Sequence, residues 1–263
     1  MLSKLEQLTF AERLQELGRG SDVVWALATA TGILFTLIAA YLFPYPASAS
    51  GKCWAYAGLC IRAGLYLWAG DALRGRGGET LQRLFRLGLV AGVFELLVDW
   101  WLIHGVSRGQ LIYLTGNDVV LLGSPLWMPL AWACVIVELG YPMLRVFRGL
   151  YPTCGLVKSW ITASLVAGVA AALTVGLYEY FAYRAGWWKY APARVMLGPY
   201  CAVYIPLGEF FMFLALLPVA ARAIIEESRP IAAAITGGAR FAIAIAAGYG
   251  LAYLLLESGW LWR

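Results

Sequence analysis

Apolar and polar positions along this chain separate into blocks: apolar runs of about twenty residues alternate with short segments that carry most of the charge. A helix needs about 20 apolar residues to cross hydrocarbon, whereas a barrel strand shows about ten alternating ones, so continuous runs predict helices. The runs fall at 23–43, 53–70, 84–104, 124–146, 156–183, 199–223 and 231–257, which predicts an all-α polytopic membrane protein with seven transmembrane helices. The first run is longer than the apolar stretch of a signal peptide and follows acidic residues, so it reads as a span. Ahead of it, residues 2–19 place Leu5, Leu8, Phe10, Leu14 and Leu17 near one helical face and Glu6, Glu12, Arg13 and Glu16 on the other. That pattern predicts a short helix lying in the membrane interface. No Pro-rich or Ser-rich linker divides the rest, so 1–22 reads as an amphipathic segment and 23–263 as one domain.

Composition narrows the class further. Of 263 residues, 62% are hydrophobic and 13% charged, against about 25% charged in an ordinary soluble domain. A water-soluble globule, a disordered chain and a disulfide scaffold are all excluded. The net charge of +5 falls between the apolar runs, which points to membrane orientation rather than nucleic acid. Seven spans put the termini on opposite sides, and the distribution of Lys and Arg places the N-terminus in the cytoplasm and the C-terminus outside a bacterial-type inner or plasma membrane. Five cysteines, Cys53, Cys60, Cys134, Cys154 and Cys201, form no C-x-x-C pair, and His104 is the only histidine. Zinc, haem and di-iron chemistry therefore lack ligands. The chain also has no aspartate-rich diphosphate motif, G-x-G-x-x-G or P-loop, and no cofactor or metal is expected.

Charge inside the apolar runs is the feature that needs explaining. Glu95, Asp99, Glu138, Glu179, Glu209, Arg62 and Arg240 all lie there, where a central Asp, Lys or Arg costs roughly 2.5–3.5 kcal/mol. Glu95 and Asp99 stand four apart and share one helical face, and in low dielectric one of the two is expected to keep its proton. Depth along the spans puts Glu95, Asp99, Glu179 and Glu209 around one outward-biased cavity, while Glu138 reads as inert packing. Aromatic residues cluster beside these acids at Trp100 and Trp101, Tyr178 to Phe181, Trp187, Trp188 and Tyr190, and Phe210, Phe211 and Phe213. Ring faces stabilise cations, so acids between aromatic walls suit proton-initiated chemistry on a polyene. A weak internal repeat relates 89–142 to 165–219: LVAGV begins both, and Gly109, Tyr113, Pro129 and Leu130 match Gly186, Tyr190, Pro206 and Leu207. It predicts that helices three and four parallel helices five and six.

Residues 186–213, GWWKYAPARVMLGPYCAVYIPLGEFFMF, resemble the membrane-embedded lycopene cyclases of carotenoid biosynthesis. Repeats in that family run Trp-x-Tyr, a short loop, an Ile-Leu-Gly stretch, then Pro-Leu-Glu-Glu-Phe. Here Trp188, Tyr190, Met196, Leu197, Gly198, Pro206, Leu207, Glu209 and Phe210 stand in that pattern, with Gly208 in place of the first Glu of the pair. In the first repeat Ala131 and Trp132 replace both. The resemblance implies a cofactor-independent cyclase or hydratase that protonates a carotenoid or other isoprenoid drawn from the bilayer. It makes Glu209 the proton donor; the clustering of the other acids adds Asp99, Glu95 and Glu179 to share or retrieve the proton. Trp100, Trp188, Tyr190, Phe211 and Arg62 would then line the substrate. The residues alone leave two other readings open, a proton-coupled transporter or channel and a non-catalytic pigment-binding subunit.

Overall fold

A computed structural model describes residues 4–15, 17–45, 51–73, 76–114, 118–226 and 228–258. The architecture is all-α apart from six very short strands. Helix α1 spans Lys4–Gln15, α2 Arg19–Leu37, α3 Gly51–Ala72, α4 Arg76–Trp101, α5 Met128–Ala185, α6 Tyr204–Leu214, α7 Leu216–Ile225 and α8 Pro230–Leu256. Single π-helical turns, Ile38–Leu42 and Leu102–Val106, extend α2 and α4.

Among the described residues, four helical stretches are long and apolar enough to cross a membrane: Arg19–Leu42, Gly77–Val106, Met128–Ala185 and Pro230–Leu256. A fifth is added if α6 and α7, bent by 42° to one another, act as one. Helix α3 is not among them, because Arg62 and its glycines Gly51, Gly58, Gly64 and Gly70 dilute its apolar content. At 58 residues α5 would reach about 87 Å if straight. It breaks instead at Gly155, whose φ of 70° and ψ of 176° are not helical. The halves, 128–154 and 156–185, correspond to the apolar runs 124–146 and 156–183 read separately from the sequence, the first beginning four residues later than expected.

Helix α1 does not present its apolar face to lipid. Phe10 and Leu14 are buried, and Phe10 packs 5.3 Å from the Phe147 ring and 6.1 Å from Trp160, on the two sides of the α5 break. Arg13 ties the helix down by donating to the Ile224 carbonyl at 3.2 Å. Glu16 and the side chains of Leu5 and Leu8, expected on the faces of this helix, lie outside the described residues.

The helices meet closely through small residues, as expected where lipid gives no hydrophobic drive between them. A Cβ on Gly92 of α4 would lie 2.6 Å from Pro129 Cα and 2.8 Å from its carbonyl oxygen, so α4 and α5 touch backbone to backbone. At one end of the bundle, segments read from sequence as loops, and the first residues of the runs 124–146 and 199–223 read as helix, form paired strands. Strand β1 (Leu111–Tyr113) pairs antiparallel with β4 (Trp188–Tyr190), with Leu111 opposite Tyr190 and Tyr113 opposite Trp188. Two small hairpins, β2 (Val120–Leu121) with β3 (Ser124–Pro125) and β5 (Met196–Leu197) with β6 (Cys201–Ala202), stand just ahead of α5 and α6.

Substituting Gly92→Ala forces two backbones apart and is expected to lower stability by about 1–3 kcal/mol. Gly64→Ala, where an added Cβ meets nothing within 4 Å, is expected to be neutral or slightly stabilising, since Ala is the better helix former. Thermal midpoints of the purified protein in detergent, read by size-exclusion of the soluble fraction, check the contrast.

Candidate functional site

Helices α2, α3, α4, both halves of α5, α6 and α8 surround a cavity of about 700 Å³, closed at one end by β1 and β4. That is the size of a site for a drug-sized molecule. Its wall is mainly apolar, yet all five carboxylates from the apolar runs, Glu95, Asp99, Glu138, Glu179 and Glu209, reach it. Spacing accounts for the first two, which lie one turn apart on the inner face of α4. The others come one each from the first half of α5, its second half and α6.

Glu138 is neutralised. Arg62 Nη1 lies 2.7 Å from Glu138 Oε1, and Arg62 Nε donates to the Gly58 carbonyl at 3.2 Å. Gly32 of α2 makes room, since a Cβ there would meet the guanidinium at 2.6 Å. Trp25 donates its indole N–H to the Glu138 carbonyl at 3.2 Å, joining α2 to the same point. Among the described lining residues Arg62 is the only cation, and it is committed to this pair.

The other four acids meet neutral donors. Asp99 Oδ2 accepts from the Tyr113 hydroxyl at 2.7 Å and from the Ser124 hydroxyl, so β1 and β3 fix its position. Burial, and then the adjacent Asp99 carboxylate, push the Tyr113 phenol well above the usual tyrosine range, which keeps it a donor. Glu179 Oε2 accepts from the Trp188 indole at 2.5 Å. Tyr190 beside it is likewise pushed well up by burial and by Glu179. Glu209 Oε1 accepts from Tyr249 of α8 at 2.5 Å. Its Oε2, and Oε2 of Glu95, are buried with no hydrogen-bond partner, although each residue is only 3% exposed. Two acceptor oxygens of cavity-lining residues are thus buried in the wall without a donor.

Around Glu179 the wall is aromatic. Trp127 stacks on Trp188 at 5.9 Å and an interplanar angle of 25°, and Tyr178 lies 6.1 Å from the Trp188 ring. The exposed part of the lining is confined to Ile33 and Leu37 of α2 and Val166, Thr174 and Leu177 of the second half of α5. The cavity therefore opens sideways between these helices.

Of the residues singled out from sequence, Glu95, Asp99, Glu179, Glu209, Arg62, Trp188 and Tyr190 come together here. Trp100 and Phe211 do not. Trp100 follows Asp99 by one residue and so turns about 100° away; it is 47% exposed and stacks on His104 at 5.4 Å. Phe211, two residues beyond Glu209, faces away from the cavity and packs beside Phe210 at 5.6 Å. Arg240 does not approach the acids; it is exposed on α8 and lines a different pocket. Sequence reading left out Trp25, Trp127 and Tyr249 as wall residues. Tyr249 carries a visible signal, a tyrosine between Gly248 and Gly250 in an apolar run. No group of three or more His, Cys, Asp or Glu suited to a metal is found among the described residues, and all five cysteines are free.

Residues 96–256 match the model of a family described as a domain of unknown function, DUF6989. The matched stretch carries Asp99, Glu138, Glu179, Glu209 and Tyr249. No curated protein and no solved structure matches the chain.

Removing one member of the buried ion pair is more damaging than removing both. Arg62→Met is expected to cost about 3–5 kcal/mol by leaving Glu138 buried without its counter-charge. Arg62→Met with Glu138→Met is expected to recover most of that loss. Denaturant midpoints of the three proteins in one detergent check the order.

Proposed function

We propose that this chain, which belongs to the DUF6989 family of unknown function, is a membrane enzyme that takes an isoprenoid polyene from the bilayer and protonates one of its double bonds. Seven crossings are counted from α2, α3, α4, the two halves of α5, the bent α6–α7 pair and α8, with the N-terminus in the cytoplasm. The parallel repeat is part of the same reading. In its favour, Gly109 and Gly186 both adopt positive φ, 89° and 69°, the strands that follow them pair with each other, and matching hairpins precede α5 and α6.

The observation that carries the chemistry is the unpartnered Oε2 of Glu209, buried in the wall of a largely apolar cavity while Tyr249 holds the other oxygen. In its acid form Glu209 transfers the proton from that oxygen to one alkene carbon, and the electron pair of the double bond forms the new C–H bond. The carbocation left on the neighbouring carbon is attacked by the next double bond, which closes a ring, or by water. Loss of a proton to Glu95, Asp99 or Glu179 ends the sequence. Trp127, Trp188, Tyr178 and Tyr190 offer ring faces to the cation. Ile33, Leu37, Val166, Thr174 and Leu177 frame the opening through which a lipid-soluble chain enters. The substrate class rests on the resemblance of 186–213 to the lycopene cyclases.

Expression in bacteria that accumulate lycopene or other linear polyenes, with extracts compared by mass spectrometry, is the direct check. The native chain should yield an isomeric or hydrated product. Glu209→Gln should reduce it at least about 100-fold, the scale of a lost general acid, and Tyr249→Phe should reduce it less. Extracts identical to empty vector across all polyenes tested would overturn the reading in favour of a proton-coupled transporter or a pigment-binding subunit.

A further inference from the structure

A second pocket, of about 480 Å³, lies at the end of the bundle away from the strands, between α1, α7 and α8. Its polar lining is Arg222, Arg229, Arg240, Glu6, Glu226, Thr9 and Thr236. Three other helical arginines are paired with acids: Arg62 with Glu138, Arg83 with Glu79 and Arg145 with Asp22. In this pocket the guanidinium groups of Arg222, Arg229 and Arg240 make no hydrogen bond or ion pair among the described residues.

Glu226, whose carboxyl feels the charge of Arg229, makes no ion pair with it. Glu226 Oε1 already accepts from the Ser228 hydroxyl at 2.5 Å, the Ser228 amide at 3.0 Å and the Arg229 amide at 3.2 Å. The Ser228 hydroxyl first, and then the Arg229 amide, hold its carboxyl below the usual range, so it is an ionised brace for the turn into α8. Arg240 is the costliest of the three. It stands ten residues into α8, about 15 Å from the start of that helix, on an exposed flank. A lone guanidinium at that depth, beside lipid, favours an anion brought to it over hydrocarbon around it. The remaining wall, Val219, Ile225, Ala232, Ala233 and Gly237, is apolar and small.

We infer that this pocket binds a phosphate group, supplied by the headgroup of an acidic membrane lipid whose acyl chains lie along the apolar wall. Three fork-shaped donors match the oxygens of a phosphate, and basic pockets between helices on the cytoplasmic side are suited to such headgroups. The site is separate from the acid-lined cavity and does not depend on its chemistry.

The test uses the full chain in nanodiscs of pure phosphatidylcholine and of phosphatidylcholine with cardiolipin, and, in detergent, inorganic phosphate or diphosphate alone. Lipid retention by native mass spectrometry and the thermal midpoint are both read. The expected result is at least ten-fold stronger retention of cardiolipin over phosphatidylcholine and a midpoint several degrees higher, both lost in Arg240→Gln and in the triple Arg222→Gln, Arg229→Gln, Arg240→Gln variant. Arg108→Gln, at the other end of the bundle, should keep them. Stabilisation by phosphate or diphosphate alone, lost in the triple variant and without lipid preference, would keep the phosphate site and assign it a soluble ligand. Equal cardiolipin retention by native and triple variant, with no response to phosphate, would overturn the site.

Discussion

Arg62 and Glu138 cancel each other's charge between α3 and the first half of α5, and the cavity wall depends on that contact. Neither residue is tolerable alone at such depth, and their pairing holds α3, which is not apolar enough to count among the candidate spans, against the bundle. Helix α2 is drawn to the same point by Gly32 packing on the guanidinium and by Trp25 bonding to the Glu138 carbonyl. With the one lining cation spent in this way, Glu95, Asp99, Glu179 and Glu209 are left to hydroxyl and indole donors. The polar chemistry of the interior follows from that division.

The division also explains why the strands matter out of proportion to their length. Tyr113, Ser124 and Trp188 all lie on two- or three-residue strands, and each donates to an acid on a helix. Pairing of β1 with β4 holds Tyr113 opposite Trp188, and pairing of β3 with β2 holds Ser124, so the cap at the end of the bundle doubles as the support for two carboxyl groups. Two oxygens, on Glu95 and Glu209, fall outside that support and outside the ion pair.

Much of this was legible in the sequence because charge in an apolar run is conspicuous and helical spacing is regular. The i, i+4 placement of Glu95 and Asp99 and the convergence of four acids on one cavity required only periodicity and depth. Trp100 and Phe211 were misplaced because proximity in sequence is not proximity on a helix: one or two residues from an inward acid lies a surface turned away from it. The pairing of Arg62 with Glu138 joins residues on different helices, which no local pattern records, and Arg240 was equally eligible until the packing of α8 placed it elsewhere. The strands escaped notice because segments of two or three residues carry no measurable period, and α1 was assigned to lipid because an apolar face does not state what covers it.

For the bilayer-soluble ligand proposed above, the sideways opening framed by Ile33, Leu37, Val166, Thr174 and Leu177 sets the units in which the cavity meets it. A molecule that enters from the hydrocarbon is met by diffusion in two dimensions, at a concentration expressed as mole fraction of lipid rather than molarity in water. Occupancy then falls as bilayer or detergent is added at fixed amounts of protein and ligand, an effect of surface dilution that water-facing clefts do not show.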